Sequence, residues 1–137
     1  MTFFDTNVLV YAIINQDSVK QQLADKLIEE GHDVVGCDNL IGGYLDNVPY
    51  KVDFHQYDCN YYNSMVKITK NCDIVFHCAA TAYEGLSVFS PYIVTKNIVG
   101  ASVSLMTAAI SNNVKRFVNC SSMARYGTQE IVPFTED

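Results

Sequence analysis

The amino-acid sequence predicts an α/β fold in which a parallel sheet is doubly wound, with helices on both faces. Two observations predict it. Short β-rich apolar runs alternate along the chain with longer stretches of helical periodicity. The runs at 3–14 and 73–78 are apolar almost throughout, as strands covered on both faces are. A length of 137 residues suits one domain and leaves little room for a second.

Phe3 to Ile14 is rich in β-branched residues and carries the first strand, ending near Ala12. Asp17 to Glu30 predicts a helix. Val19, Leu23, Leu27 and Ile28 share one face, while Lys20, Asp25, Lys26 and Glu29 lie elsewhere. Ser18 and Gln21 can form a capping box, and Gly31 stands where a C′ glycine belongs. His32 to Cys37 is the second strand, centred on Val34 and Val35. Asp38 to Pro49 holds Asn, Gly-Gly and Pro and reads as a loop. Lys51 to Gln56 is a third strand, Asn60 to Lys70 a short helix, and Asp73 to Cys78 a fourth strand. A long helix follows Pro91, with Val94, Ile98, Ala101, Leu105, Ala108 and Ala109 on its inner side. Arg116 to Cys120 is the fifth strand, and beyond Ser121 the chain turns polar. Right-handed crossovers between such strands give a Rossmann-like sheet. The chain has no internal repeat, linker or low-complexity tract.

Composition excludes several functions. At 49% hydrophobic and 18% charged residues the chain is globular and not disordered. A net charge of −6 repels phosphate polymers, so no nucleic-acid partner is expected. No run reaches ~18 consecutive apolar residues, so no membrane span is expected. A secretory signal is not expected either, because the first residues lack a basic n-region and cleavage site. Five cysteines at irregular spacing, without C-x-x-C, give no zinc signature. Several lie in apolar runs and read as reduced thiols, which implies a cytoplasmic location.

In a doubly wound sheet, ligands bind at the carboxyl ends of the strands. Asp38, immediately after the second strand, can accept two hydrogen bonds from an adenosine ribose or can cap a turn. Asp58, after the third, can meet an adenine amino group or cap the helix that follows. His77-Cys78-Ala79-Ala80 closes the fourth strand with small residues that allow either a flat ligand or a helix to come close. Ser121-Ser122, ahead of Tyr126-Gly127, offers hydroxyls that can bond a substrate oxygen or cap a helix.

Four segments stand in a familiar order: Leu27-Ile-Glu-Glu-Gly-His-Asp-Val-Val-Gly-Cys-Asp-Asn-Leu40, Asp73-Ile-Val-Phe-His-Cys-Ala-Ala80, Asn97-Ile-Val-Gly100 and Arg116-Phe-Val-Asn-Cys-Ser-Ser-Met-Ala-Arg-Tyr-Gly127. Over residues 23–137 the chain resembles the extended short-chain dehydrogenase/reductase family, in its NAD-dependent nucleotide-sugar epimerase/dehydratase branch. The resemblance implies NAD as cofactor and a nucleotide sugar as substrate. It places Asp38 and Asn39 on the adenosine ribose and Asp58 and Cys59 beside the adenine. Cys78, Ala79 and Ala80 would line the cofactor's path, Asn97 would brace the end of the fourth strand, and Ser122 matches the catalytic hydroxyl.

Two departures qualify this. The family's first turn is rich in glycine, whereas Tyr11 to Gln21 has none, and the first glycine of the chain is Gly31. Glycine lets backbone N–H groups approach a pyrophosphate, so cofactor binding is expected to be weak. No Tyr-x-x-x-Lys follows Ser122, although that pair supplies the family's acid/base and holds the ribose. The chain then reads as a family member truncated before the last strands and the substrate lobe, inactive by itself. It would be open to self-association past the fifth strand and along the helix 94–110. A non-catalytic Rossmann-like binding domain is the alternative.

Residues 1–22 carry a different resemblance. Phe3-Phe-Asp-Thr-Asn-Val-Leu-Val-Tyr-Ala12 is similar to the opening of PIN-domain ribonucleases. It would make Asp5 a Mg²⁺ ligand, beside Thr6 and Asn7. A metal nuclease needs several converging carboxylates, and only Asp5 can be placed, so no metal site is expected outside that alternative. The segment otherwise supplies the first strand of a single domain.

Overall fold

The computed structural model describes residues 7–10, 18–41, 44–81 and 85–128, without the side chains of 7–10, 18–21, 23 and 123–124. Five strands, β1 (Asn7–Val10), β2 (Asp33–Asp38), β3 (Asp53–Gln56), β4 (Cys72–His77) and β5 (Arg116–Asn119), form one sheet in the order β3-β2-β1-β4-β5. All four pairings are parallel, with Val8 facing Val34 on one side and Ile74 on the other. This is the expected doubly wound, Rossmann-like sheet. Its first strand comes from the segment that is similar to PIN-domain openings. Asp5, Thr6, the turn 11–17 and Gly42-Gly43 lie outside the described residues, as does the capping pair Ser18 and Gln21 at side-chain level.

Helix α1 (Ser18–Glu29) covers one face. Its Ala24 packs with Val34, flanked by Leu27, Ile28, Val52, Ile74 and Phe76. The other face is covered by α2 (Tyr62–Ile68) and by a helix running from Pro91 to Ser111. That helix comprises α4 (Pro91–Thr95), a π-turn (Lys96–Gly100) and α5 (Ala101–Ser111), preceded by a short α3 (Leu86–Phe89). Met65, Ile68, Leu105 and three alanines of α5 close over Val75, Cys37, Cys59 and Cys72. Cysteine serves there as a small hydrophobe.

Two helices end on left-handed residues. Gly31 has φ +87°, Gly31 N donates to Ile28 O and His32 N to Leu27 O, a Schellman pattern that confirms the expected C′ glycine. Asn113, at φ +57°, ends α5 in the same way. Asn112 Nδ2 then donates to Val66 O at 2.8 Å and to Thr69 Oγ1 at 2.7 Å, tying the end of α5 to the end of α2.

The structure moves several expected features. Asp38 is the last residue of β2 and does not follow it. α2 starts at Tyr62, because residues 58–60 form a turn ahead of it. α3 has no counterpart among the expectations, since four residues display no periodicity. On the long helix Ala101, Leu105, Ala108 and Ala109 are buried as expected, but Ile98 is 37% exposed and Asn97 is half-buried instead. The π-turn at 96–100 breaks the 3.6-residue phase on which that expectation rested. By length and mean hydropathy (1.5) this helix could cross a membrane, yet here it lies on the sheet. Away from the sheet it exposes Tyr92, Val103 and Ile110, and Phe89 of α3 is exposed just ahead of it.

Candidate functional site

A parallel sheet aligns the carboxyl ends of its strands along one edge, and helix α1 points its N-terminus at that edge. The order β3-β2-β1-β4-β5 puts the switch point between β1 and β4. The expected site residues fall along this edge.

Asp38 is buried to 4% at the end of β2. Its Oδ1 accepts from Leu40 N at 2.6 Å, and Leu40 takes a φ of +61° to make that turn. Asn39 repeats the device one residue later, with Oδ1 accepting from Ile41 N at 3.0 Å. Such Asx-turns fix a carboxylate at a strand end without relying on a distant partner.

Asp58 lies two residues beyond β3. Its Oδ1 accepts from both Asn60 N and Asn60 Nδ2, each at 2.8 Å. The carboxylate thus closes the turn ahead of α2, whose N-cap residue is Tyr61 and not Asp58. Asn60 Nδ2 also reaches Asn97 Oδ1 at 3.4 Å. Asn60 thus links two expected site residues, although nothing local singles it out except its Asp-x-Asn spacing. Gly100 permits the contact: a Cβ there would stand 3.0 Å from Asn60 Oδ1. Cys59, between them, is buried.

Asn97 therefore braces the loop after β3. The residue that reaches the end of β4 is Ser102. Its Oγ lies 2.7 Å from His77 Nε2 and donates to Ile98 O at 2.6 Å. A hydroxyl has one proton, so with that proton on Ile98 O the bond from His77 must be donated by Nε2–H. Asn97 and Ser102 are five residues apart, and a π-turn brings residues at that spacing toward one face. Burial pushes the His77 imidazole below its ordinary value of 6.5.

Cys78 is buried, Ala79 half-buried and Ala80 exposed, so the chain leaving β4 passes from core to surface within three residues. Cys120 follows β5, with its Sγ 3.3 Å from that of Cys78. Ser121 and Ser122 are exposed just beyond. Ser122 O accepts from Arg125 N at 3.2 Å and opens the 3₁₀ turn Met123–Tyr126. All five cysteines are thiols. Among the described residues no three His, Cys, Asp or Glu side chains gather in a metal-binding group.

Comparison with known proteins gives the family and the fold. A model of the NAD dependent epimerase/dehydratase family matches residues 20–137. A UDP-glucose 4-epimerase of Streptomyces lividans is 34% identical over 117 residues, which are 83% of this chain and 36% of that protein. One from Lactobacillus helveticus is 36% identical over 114 residues, 82% of this chain and 34% of that protein. The chain thus spans about a third of the length of these relatives. Among solved structures, a Thermotoga maritima UDP-glucose 4-epimerase with UDP-glucose superposes with a TM-score of 0.85 at 28% identity, over 94% of this chain and 42% of that one. A Brucella ovis UDP-glucose 4-epimerase in complex with NAD gives 0.83 at 30% identity, over 96% and 40%.

Proposed function

The chain belongs to the NAD-dependent epimerase/dehydratase family, and from that membership we propose that it is the cofactor-binding part of an epimerase acting on a UDP-sugar. The observation that carries the proposal is Asp38: a buried carboxylate, held by Leu40 N at the carboxyl end of the strand next to the switch-point strand β1.

The residues present fit the adenosine half of NAD by their chemistry. Asp38 and Asn39 supply fixed acceptors for ribose hydroxyls. Asp58 and Cys59 form a turn beside the place where an adenine would lie. The small side chains from Cys78 to Ala80 leave the backbone approachable. Bound NAD would supply the hydride acceptor for oxidation at a sugar carbon. The task of this chain is to hold and orient. Ser122, exposed beyond β5, would bond a sugar hydroxyl through Oγ. Asn97 and Ser102 act one step removed, by fixing Asn60 and His77.

The turn between β1 and α1 carries no glycine among residues 11–20. Without a glycine cradle for the pyrophosphate, a polypeptide of these residues binds NAD weakly. With Ser122 but no Tyr-x-x-x-Lys after it in this sequence, that polypeptide does not turn over a sugar nucleotide by itself.

Titration with NAD, followed residue by residue in amide NMR spectra, tests the proposal. Shifts are expected at residues 38–39 and 78–80, with a Kd no tighter than about 1 mM, near −4 kcal/mol. Asp38→Ala should abolish them. Asp38→Asn, which keeps an oxygen for Leu40 N, should weaken them. Shifts confined to other strand ends, or unchanged by either substitution, would overturn the assignment. A micromolar Kd would overturn the weak-binding part.

A further inference from the structure

We propose that Cys78 and Cys120 form a thiol–disulfide redox site at the carboxyl edge of the sheet, closed by hydrogen peroxide and opened by dithiols. Strands β4 and β5 are parallel neighbours in a register that ends on His77 facing Asn119. Cys78 and Cys120 are the next residues of each strand path and so stand opposite one another. Cys120 N donates to His77 O at 3.0 Å, which holds the two segments side by side past the strand ends. The two Sγ atoms lie 3.3 Å apart in a contact where either thiol can donate. A disulfide requires about 2.05 Å, so closure asks for roughly 1.2 Å of approach, within reach of small side-chain rotations.

Accessibility assigns the roles. Cys120 is exposed and can meet a small oxidant, while Cys78 is buried directly behind it. The Cys120 thiolate attacks one peroxide oxygen. An S–O bond forms, the O–O bond breaks, and hydroxide leaves and takes a proton as water. Cys78 then gives up its proton and attacks the sulfenic sulfur. The S–S bond forms as the S–O bond breaks, and a second water departs. Two thiols and one peroxide become one disulfide and two waters, with both sulfurs oxidised and the peroxide reduced.

The other three cysteines do not compete. Cys37, Cys59 and Cys72 are buried. The Cys37 thiol donates to Tyr57 O at 3.8 Å and the Cys72 thiol to Ile68 O at 3.2 Å. Burial, reinforced by the Asp73 carboxylate, pushes the Cys72 thiol up to about 11, which keeps it protonated and unreactive at neutral pH.

The test treats the reduced chain with stoichiometric hydrogen peroxide and alkylates the remaining thiols. The expected product is a monomer lighter by two hydrogens, with two fewer alkylated cysteines, restored by dithiothreitol. Cleavage after Lys and Arg and before Asp73 separates Cys72 from Cys78, so the cross-link should join segment 73–96 to segment 117–125. In Cys78→Ser the Cys120 sulfenic acid should persist and be trapped by dimedone. In Cys120→Ser neither disulfide nor adduct should form. A cross-link through Cys37, Cys59 or Cys72, a Cys120–Cys120 dimer as the main product, or five alkylated thiols after peroxide would each overturn the proposal. The mapping on the unsubstituted chain decides the matter even if a serine variant fails to fold.

Discussion

His77 Nε2 and Ser102 Oγ meet at 2.7 Å, and through Ser102 the bond continues to Ile98 O in the π-turn. The last residue of a central strand is thereby tied to the point where the covering helix changes pitch. Ser102→Ala removes the acceptor and leaves the buried His77 donor without it. A loss of about 1–3 kcal/mol in unfolding free energy is expected. Urea denaturation of the two proteins measures it.

The same histidine makes stability pH-dependent. Its folded value lies below the ordinary 6.5, so between the two the unfolded chain binds the additional proton. Stability is therefore complete above about pH 6.5 and is lost as pH falls below it. From this one group the slope of unfolding free energy against pH is positive below about pH 6.5 and has an upper bound of about 1.4 kcal/mol per unit. Denaturant titrations between about pH 8 and pH 5 should show this slope flattened in His77→Gln.

Gly100→Ala should reveal the Asn60 contact. Alanine gains about 1 kcal/mol over glycine inside a helix. The new Cβ would stand 3.0 Å from Asn60 Oδ1, and Asn60 is held by Asp58 and Asn97. In the unsubstituted chain the exchange should therefore destabilise. In an Asn60→Ala background it should stabilise. A double-mutant cycle should return a coupling of about 0.5–3 kcal/mol, and additivity would show that Asn60 yields freely.

The outer face of the long helix should drive association. Val103 is 60% exposed and Ile110 72%, on a surface that also shows Met106. Light scattering after size exclusion should find a mass that grows with concentration, reduced in Val103→Lys. Lysine makes the net charge of −6 smaller in magnitude, so added repulsion cannot explain the change. A concentration-independent monomer of the unsubstituted chain would contradict the expectation.

What the sequence reveals here is what depends on local order. β2, β4 and β5 are legible as apolar runs to within one residue, and Gly31 marks the end of α1 because only its φ of +87° is at stake. The candidate edge is legible too, since parallel strands bring Asp38, Asp58, Cys78 and Ser122 to one side whatever their neighbours do. The partners of those residues are not. Asn60 meets Asn97 across 37 positions, and Cys78 meets Cys120 across 42. Such contacts follow from strand register and helix placement, which no window of adjacent residues contains. The π-turn is hidden for a related reason: Val94, Ile98 and Ala101 fit an unbroken period, so the local pattern carries no mark of the widened turn.

That widened turn also gives the outer surface two headings. In an unbroken α-helix Tyr92 and Val103 would lie nearly in line, at about 100° per residue. The turn from Lys96 to Gly100 spends an additional residue on one revolution, so the stretches before and after it are rotated apart by about a quarter of a circle. Tyr92 and Ile93 then form one facet, and Val103, Met106 and Ile110 another. A flat body can lie against either facet alone. Covering both takes a shape that wraps the helix, or two bodies arriving from different sides.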